Sequence, residues 1–192
     1  MTSLPIAPHI LIPALWAAWC LCWLAAAPFA KATRWRETIG ARLIDRVPLA
    51  LCAILFAAPR LLPRALSARF APEGAALPLL GTALVAIGLG FAVWARWHIG
   101  RNWSGYVGLK EGHTLVCSGP YRLVRHPIYT GLLLALFGTA LAIGQWRGLL
   151  AVLSALLTIL RRIGVEERRM RQTFAEYEEY RRITPALIPR PF

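Results

Sequence analysis

Acidic residues are scarce in this chain: 9 Asp and Glu stand against 22 Lys and Arg in 192 residues, a formal charge of +13. So basic a balance raises nucleic acid as a partner, but the cations lie in the connections between apolar runs. Anionic lipid headgroups answer them better, and no nucleic-acid partner is expected. No charged residue precedes Lys31, so the basic leader of a cleavable signal peptide is missing and the first apolar segment is expected to remain as a span. The four cysteines (Cys20, Cys22, Cys52 and Cys117) lack the spacing of a metal site, and no disulfide framework follows from them. His98, His113 and His126 are not placed like zinc ligands, so no metal is expected. Neither a Ser/His/Asp order nor a phosphate-cradling loop is evident.

What the chain has instead is apolar sequence. Its hydrophobic content is 57% and its mean hydropathy +0.52, above the roughly 45–50% apolar content of soluble domains. The excess is organised into runs of near-spanning length, which predicts an all-α integral membrane protein with about five transmembrane helices in a single domain, 1–192. Ile10 to Phe29 is the first run, its Trp16, Trp19 and Trp23 suited to an interfacial belt. Val47 to Ala58 is short, about 18 Å of helix against a hydrocarbon core of about 30 Å, and is expected to reach across Pro59 to Leu66 with a kink. Leu79 to Trp97 carries small residues at Gly81, Gly88 and Ala92, which predicts close packing on neighbouring helices. Leu132 to Gly144 and Leu149 to Leu160, joined by a four-residue connection, read as an antiparallel hairpin. Met170, Phe174 and Tyr177 then recur at helical spacing, which predicts an amphipathic interfacial helix over Glu166 to Arg182.

Charge bias orients this layout. With five spans, 18 of the 22 basic residues fall in the connections on one side, which places the N-terminus outside and the C-terminus in the cytoplasm, as in a bacterial inner membrane. The polar segment 98–130 and the charged tail then lie on the same, cytoplasmic side.

Two patterns carry candidate chemistry. Arg162 and Glu166 stand four residues apart and so share a helix face, although a surface pair worth about 0.3–0.5 kcal/mol has the same spacing. Arg125-His126-Pro127 introduces an apolar helix, and a headgroup-binding basic cluster ahead of a proline-started helix would look the same.

His113-Thr114-Leu115-Val116, Ser118-Gly119-Pro120-Tyr121, Arg125-His126-Pro127-Ile128-Tyr129 and Arg162-x-x-x-Glu166-Glu167, followed by Phe174 and Tyr180, together resemble the isoprenylcysteine carboxyl methyltransferase family, to which phospholipid methyltransferases are related. The resemblance covers about residues 98–192; residues 1–97 resemble the family only in layout, as a three-helix scaffold. It implies an S-adenosylmethionine-dependent carboxyl O-methyltransferase that releases S-adenosylhomocysteine. The cofactor pocket would form between the 98–130 loop and the C-terminal helix. The implied cofactor contacts are His113, Thr114, Leu115, Val116, Tyr121, His126, Pro127, Ile128, Tyr129 and Glu166. The implied substrate-binding and catalytic residue is Arg162, holding the carboxylate of a lipophilic small molecule that enters from the membrane lipids. The chain departs from the family pattern at Tyr106, where eukaryotic members carry Gln, and at Ala175, where the family has Gly. Methylation of a lipid amine is the enzymatic alternative; a non-catalytic protein binding anionic lipid is the alternative of another class. Neither the acceptor nor the oligomeric state follows from the sequence.

Overall fold

The structure is a computed structural model that describes residues 8–27, 39–100 and 115–190. Its helices are α1 (Pro8–Ala26), α2 (Ile39–Ala57), α3 (Ala76–Ile99), α4 (Pro120–Leu123), α5 (Pro127–Ile143), α6 (Trp146–Thr173) and α7 (Tyr177–Ile183). Among the described residues the only bridge is an isolated one between Arg69 and Gln145. By length and composition α1, α3 and α6 are able to cross a membrane, and α5 is a shorter apolar helix. Leu21, Leu24, Val47, Ile87 and Leu157 are exposed, as lipid-facing side chains of an integral membrane protein would be. The all-α membrane class expected from the sequence is the one observed.

The helices form two packed groups. Ile12 of α1, Val85 and Leu89 of α3 and Ala135 of α5 make one apolar core; Cys52 and Leu55 of α2 with Ala151 and Ala155 of α6 make the other. The small residues foreseen in α3 carry the contact with α5. A Cβ on Gly88 would lie 2.5 Å from the Gly131 carbonyl oxygen, so the two backbones touch where any larger residue would part them. α5 and α6 form the expected hairpin around Gly144, whose carbonyl accepts the Phe70 N–H at 3.0 Å.

Four boundaries differ from the sequence reading. α2 begins at Ile39, inside the basic connection, and ends at Ala57; two short 3-10 turns, Pro59–Leu61 and Arg64–Ser67, follow in place of a kinked continuation. Pro59 and Pro63 each open a turn, and neither supplies the N–H that a continuing helix requires. α5 starts five residues earlier than the apolar run, at Pro127. The amphipathic helix over Glu166 to Arg182 is divided: α6 runs without a break to Thr173, and α7 resumes at Tyr177. The Trp16 indole N–H donates to Thr139 Oγ at 3.1 Å, which ties α1 to α5.

These directions place the chemistry. Arg96, near the end of α3, donates to the carbonyl oxygen of Ala26 at 2.9 Å, so α1 and α3 finish at the same end. α5 begins there and α6 returns to it, so Arg125–Tyr129, Arg161–Glu167 and the start of α2 converge at one end of the bundle.

Candidate active site

The turn leading into α4 is set by Gly119, whose φ of 58 is a left-handed value that side chains resist. The His98 ring presses on the same glycine, 2.6 Å from where a Cβ would stand. His98 also hydrogen bonds Ser118 Oγ at 2.9 Å and stacks on Tyr121 with centroids 6.4 Å apart. Tyr121 is buried. Burial first, then the charge of Glu166, push its phenol well above its ordinary value, so it stays protonated.

From there the chain turns back at Arg125 and His126. The Arg125 N–H donates to the Pro185 carbonyl at 2.8 Å and the His126 N–H to Ala186 at 3.0 Å, which pins the C-terminal segment alongside the motif. Thr130 Oγ adds a bond to the Leu187 carbonyl at 2.7 Å, and Tyr180 OH donates to the Tyr121 carbonyl at 2.6 Å.

Two successive glutamates of α6 meet this strap. Glu167 is buried and accepts from Arg125 Nε at 2.9 Å and Nη2 at 2.6 Å. It also accepts from His126 Nε2 at 3.2 Å and lies 3.5 Å from Arg181 Nε. The remaining Arg125 nitrogen, Nη1, donates to the carbonyls of Arg181 and Thr184. Glu166 accepts from Tyr129 OH at 2.5 Å and sits 3.5 Å from His126 Nδ1. His126 therefore lies between two carboxylates. Burial pulls its imidazole down, but the hydrogen bonds and charges of Glu166 and Glu167 outweigh burial and hold it above the usual histidine value. Burial, then Glu167, push Tyr177 up to about 12.

Glu166 is the more open carboxylate, 25% exposed against 7% for Glu167. It is flanked by the His126 and Tyr129 rings, stacked at 5.8 Å. Aromatic faces beside an accessible carboxylate suit a sulfonium cation carrying an amino group and an adenine. The residues present therefore fit S-adenosylmethionine. Among the described residues no three His, Cys, Asp or Glu side chains gather as a metal ion would require.

Arg162, one turn before Glu166, is a quarter exposed and lies 3.3 Å through Nε from Asp45 Oδ2. Arg161 binds the other oxygen of Asp45. The structure thus gathers Tyr121, His126, Tyr129, Arg162 and Glu166. Pro127 is fully buried at the start of α5 and Ile128 follows it; both serve as helix entry. Leu115 and Val116 are half-buried ahead of α4, with no hydrogen bond to the cluster among the described residues. His113, Thr114 and Tyr106 lie outside the described residues.

Sequence reasoning missed Asp45 and did not foresee that Arg125, read as part of the basic motif, pairs with Glu167. Asp45 is the only aspartate of the chain, and a lone carboxylate within an apolar and basic stretch was the signal that marked it. Nothing local distinguishes the strap role of Glu167 from the more open position of Glu166.

The family model described as phospholipid methyltransferase matches residues 77–177. Among curated proteins the chain is similar to a cobalt-zinc-cadmium resistance protein of Cupriavidus metallidurans, 38% identical over 95 residues, 48% of this chain and 44% of that protein. It is similar to methanethiol S-methyltransferase 2 of Bradyrhizobium diazoefficiens, 42% identical over 74 residues, 38% of this chain and 27% of that one. It is also similar to a protein-S-isoprenylcysteine O-methyltransferase of Schizosaccharomyces pombe, 34% identical over 94 residues, 47% and 40% of the two chains. The chain spans about half the length of these relatives, or less.

Proposed function

The chain belongs to the phospholipid methyltransferase family, and we propose that it transfers a methyl group from S-adenosylmethionine to the carboxylate of a lipophilic, isoprenylcysteine-like acceptor, forming a methyl ester at the cytoplasmic face of a bacterial inner membrane. Residues 1–97 then serve mainly as scaffold and 98–192 carry the chemistry. The observation that carries this reading is Arg162, a partly open guanidinium on the same face of α6 as Glu166, where that helix leaves its apolar stretch.

S-adenosylmethionine, when bound, supplies an electrophilic methyl group on a sulfonium that departs as a neutral thioether. Glu166 would face its cationic end, the Tyr129, His126 and Tyr121 rings would contact its flat surfaces, and His113, Thr114, Leu115 and Val116 would line its remaining edge. Arg162 would hold the acceptor carboxylate through charge-assisted hydrogen bonds. An acceptor oxygen that is already anionic needs no general base, so rate would come from alignment and from excluding water around the two charges. Pro127 and Ile128 fix where α5 begins and hence where the Tyr129 ring stands.

Support for the acceptor comes from the yeast relative, named for O-methylation of an isoprenylcysteine. The family description favours a second reading, methylation of a lipid amine, but an amine must shed a proton beside Arg162 before it attacks. Purified protein given labelled S-adenosylmethionine and an S-farnesyl thioether acid should yield label that mild base releases as methanol. Label that only extracted lipids take up, and that survives base, would transfer the assignment to the amine.

A further inference from the structure

Two guanidinium groups from consecutive residues of α6 converge on one carboxylate of α2. Asp45 is 5% exposed; its Oδ1 accepts from Arg161 Nη1, and its Oδ2 lies 3.3 Å from Arg162 Nε. The second contact is one of charge only, because Asp45 Oδ2 and Arg162 Nε are both buried without a hydrogen-bond partner. Arg162 is thus drawn to Asp45 by its Nε edge, and no described residue hydrogen bonds its two Nη nitrogens. The neighbouring carboxylates are engaged elsewhere, Glu166 by Tyr129 and His126, Glu167 by Arg125 and Arg181. The group of Asp45, Arg161 and Arg162 therefore keeps one cation in excess at the edge of an apolar phase, where an unmatched charge is costly.

We infer that Asp45 is a positioning and specificity-determining residue for the acceptor: it holds the Nε edge of Arg162, leaves the two Nη nitrogens for the acceptor, and sets the acceptor's complement at one negative charge. The inference rests on Arg162 as the acceptor clamp. Arg161 then has no contact with the acceptor and acts by satisfying Asp45, so that Asp45 does not fully neutralise Arg162. A dianion overfills the site and a cationic amine is repelled by it.

The test compares ester formation on two probes, an S-farnesyl thioether monoacid and the matching diacid, with the whole protein in lipid nanodiscs. Wild type should favour the monoacid in kcat/KM by about tenfold. Asp45→Asn leaves two cations unmatched and should erase or invert that preference, whereas Asp45→Glu should keep it. Cofactor affinity measured by calorimetry should stay within about twofold in both, which a merely structural role would not protect. Arg161→Gln, a change at a partly exposed side chain, keeps the inference open to refutation if Asp45→Asn does not fold. It removes the excess cation, so the monoacid KM should rise about tenfold although Arg161 is not the clamp. An unaltered probe preference in folded Asp45→Asn, or an unaltered KM in Arg161→Gln, overturns the inference and leaves the ester reading standing. Wild type that esterifies neither probe overturns both.

Discussion

α6 has an arginine in its first turn and a pair of arginines just past its middle, and the two places hold them in different ways. At its start Arg147 is buried and bonds only neutral groups: the carbonyls of Leu55 at 2.7 Å and Phe56 at 2.9 Å, and Gln145 Oε1 at 2.6 Å. Those carbonyls close α2, so this cation caps a helix whose dipole is negative there. Where α6 leaves its apolar stretch, Arg161 and Arg162 face Asp45, and Arg125 faces Glu167. A cap is a fixed bond that terminates structure. A pair of charges can exchange a partner for a ligand of the same charge, and only the second kind is of use in a site. An apolar cavity of about 870 Å³ lies at the Arg147 end, lined by α1, α2 and α5, but the ionic cluster is at the opposite end.

The comparison breaks most plainly at Glu167. Its replacement by Ala strands Arg125 and His126 in a buried setting, so stability should drop by about 3–5 kcal/mol, and protease should reach the C-terminal strap first. Thermal unfolding in detergent with mapping of the cleavage sites reads both effects. Arg162→Ala should cut kcat/KM about a hundredfold, about 2.7 kcal/mol, with cofactor affinity kept; loss of both together would put Arg162 in the structural class with Glu167. Arg147→Met should cost about 1–2 kcal/mol of stability through the uncapped carbonyls of α2 and leave turnover per folded molecule unchanged. Glu166→Gln is expected to weaken cofactor binding about tenfold by calorimetry, with a smaller loss of stability than Glu167→Ala.

The smallest effect is one of pH. The folded protein holds the His126 imidazole above its ordinary value of 6.5, so the native state binds this proton more tightly than the unfolded chain. Its stabilising contribution is complete below about pH 6.5 and is lost as pH rises through the higher folded value. The melting temperature should fall across that rise, and His126→Gln should flatten the profile. A profile of equal slope in wild type and variant would remove His126 from the network.

Much of this was legible along the chain because a bilayer imposes length and composition on whatever crosses it. The apolar runs, the hairpin, the small face of α3 and the spacing of Arg162 and Glu166 needed no tertiary contact to be read. The limits of α2 were not legible, because its first turns carry Asp45 and Arg46, which a composition argument assigns to a connection. The break between α6 and α7 was hidden as well, since apolar periodicity continues through Phe174 while the backbone does not.

Sequence alone determined the membrane class, the order of the helices, the shared helix face of Arg162 and Glu166, and the family, because each is a matter of composition or local spacing. Only the tertiary structure decided which carboxylate serves which cation. Asp45 lies 116 residues from Arg161, and Arg125 lies 42 from Glu167. Pairings over such separations are set by which helix ends meet, and that is fixed by packing: the α3–α5 glycine contact and the return of α6 bring the charged ends together. One glutamate thereby closes the strap while its neighbour is left open to a ligand.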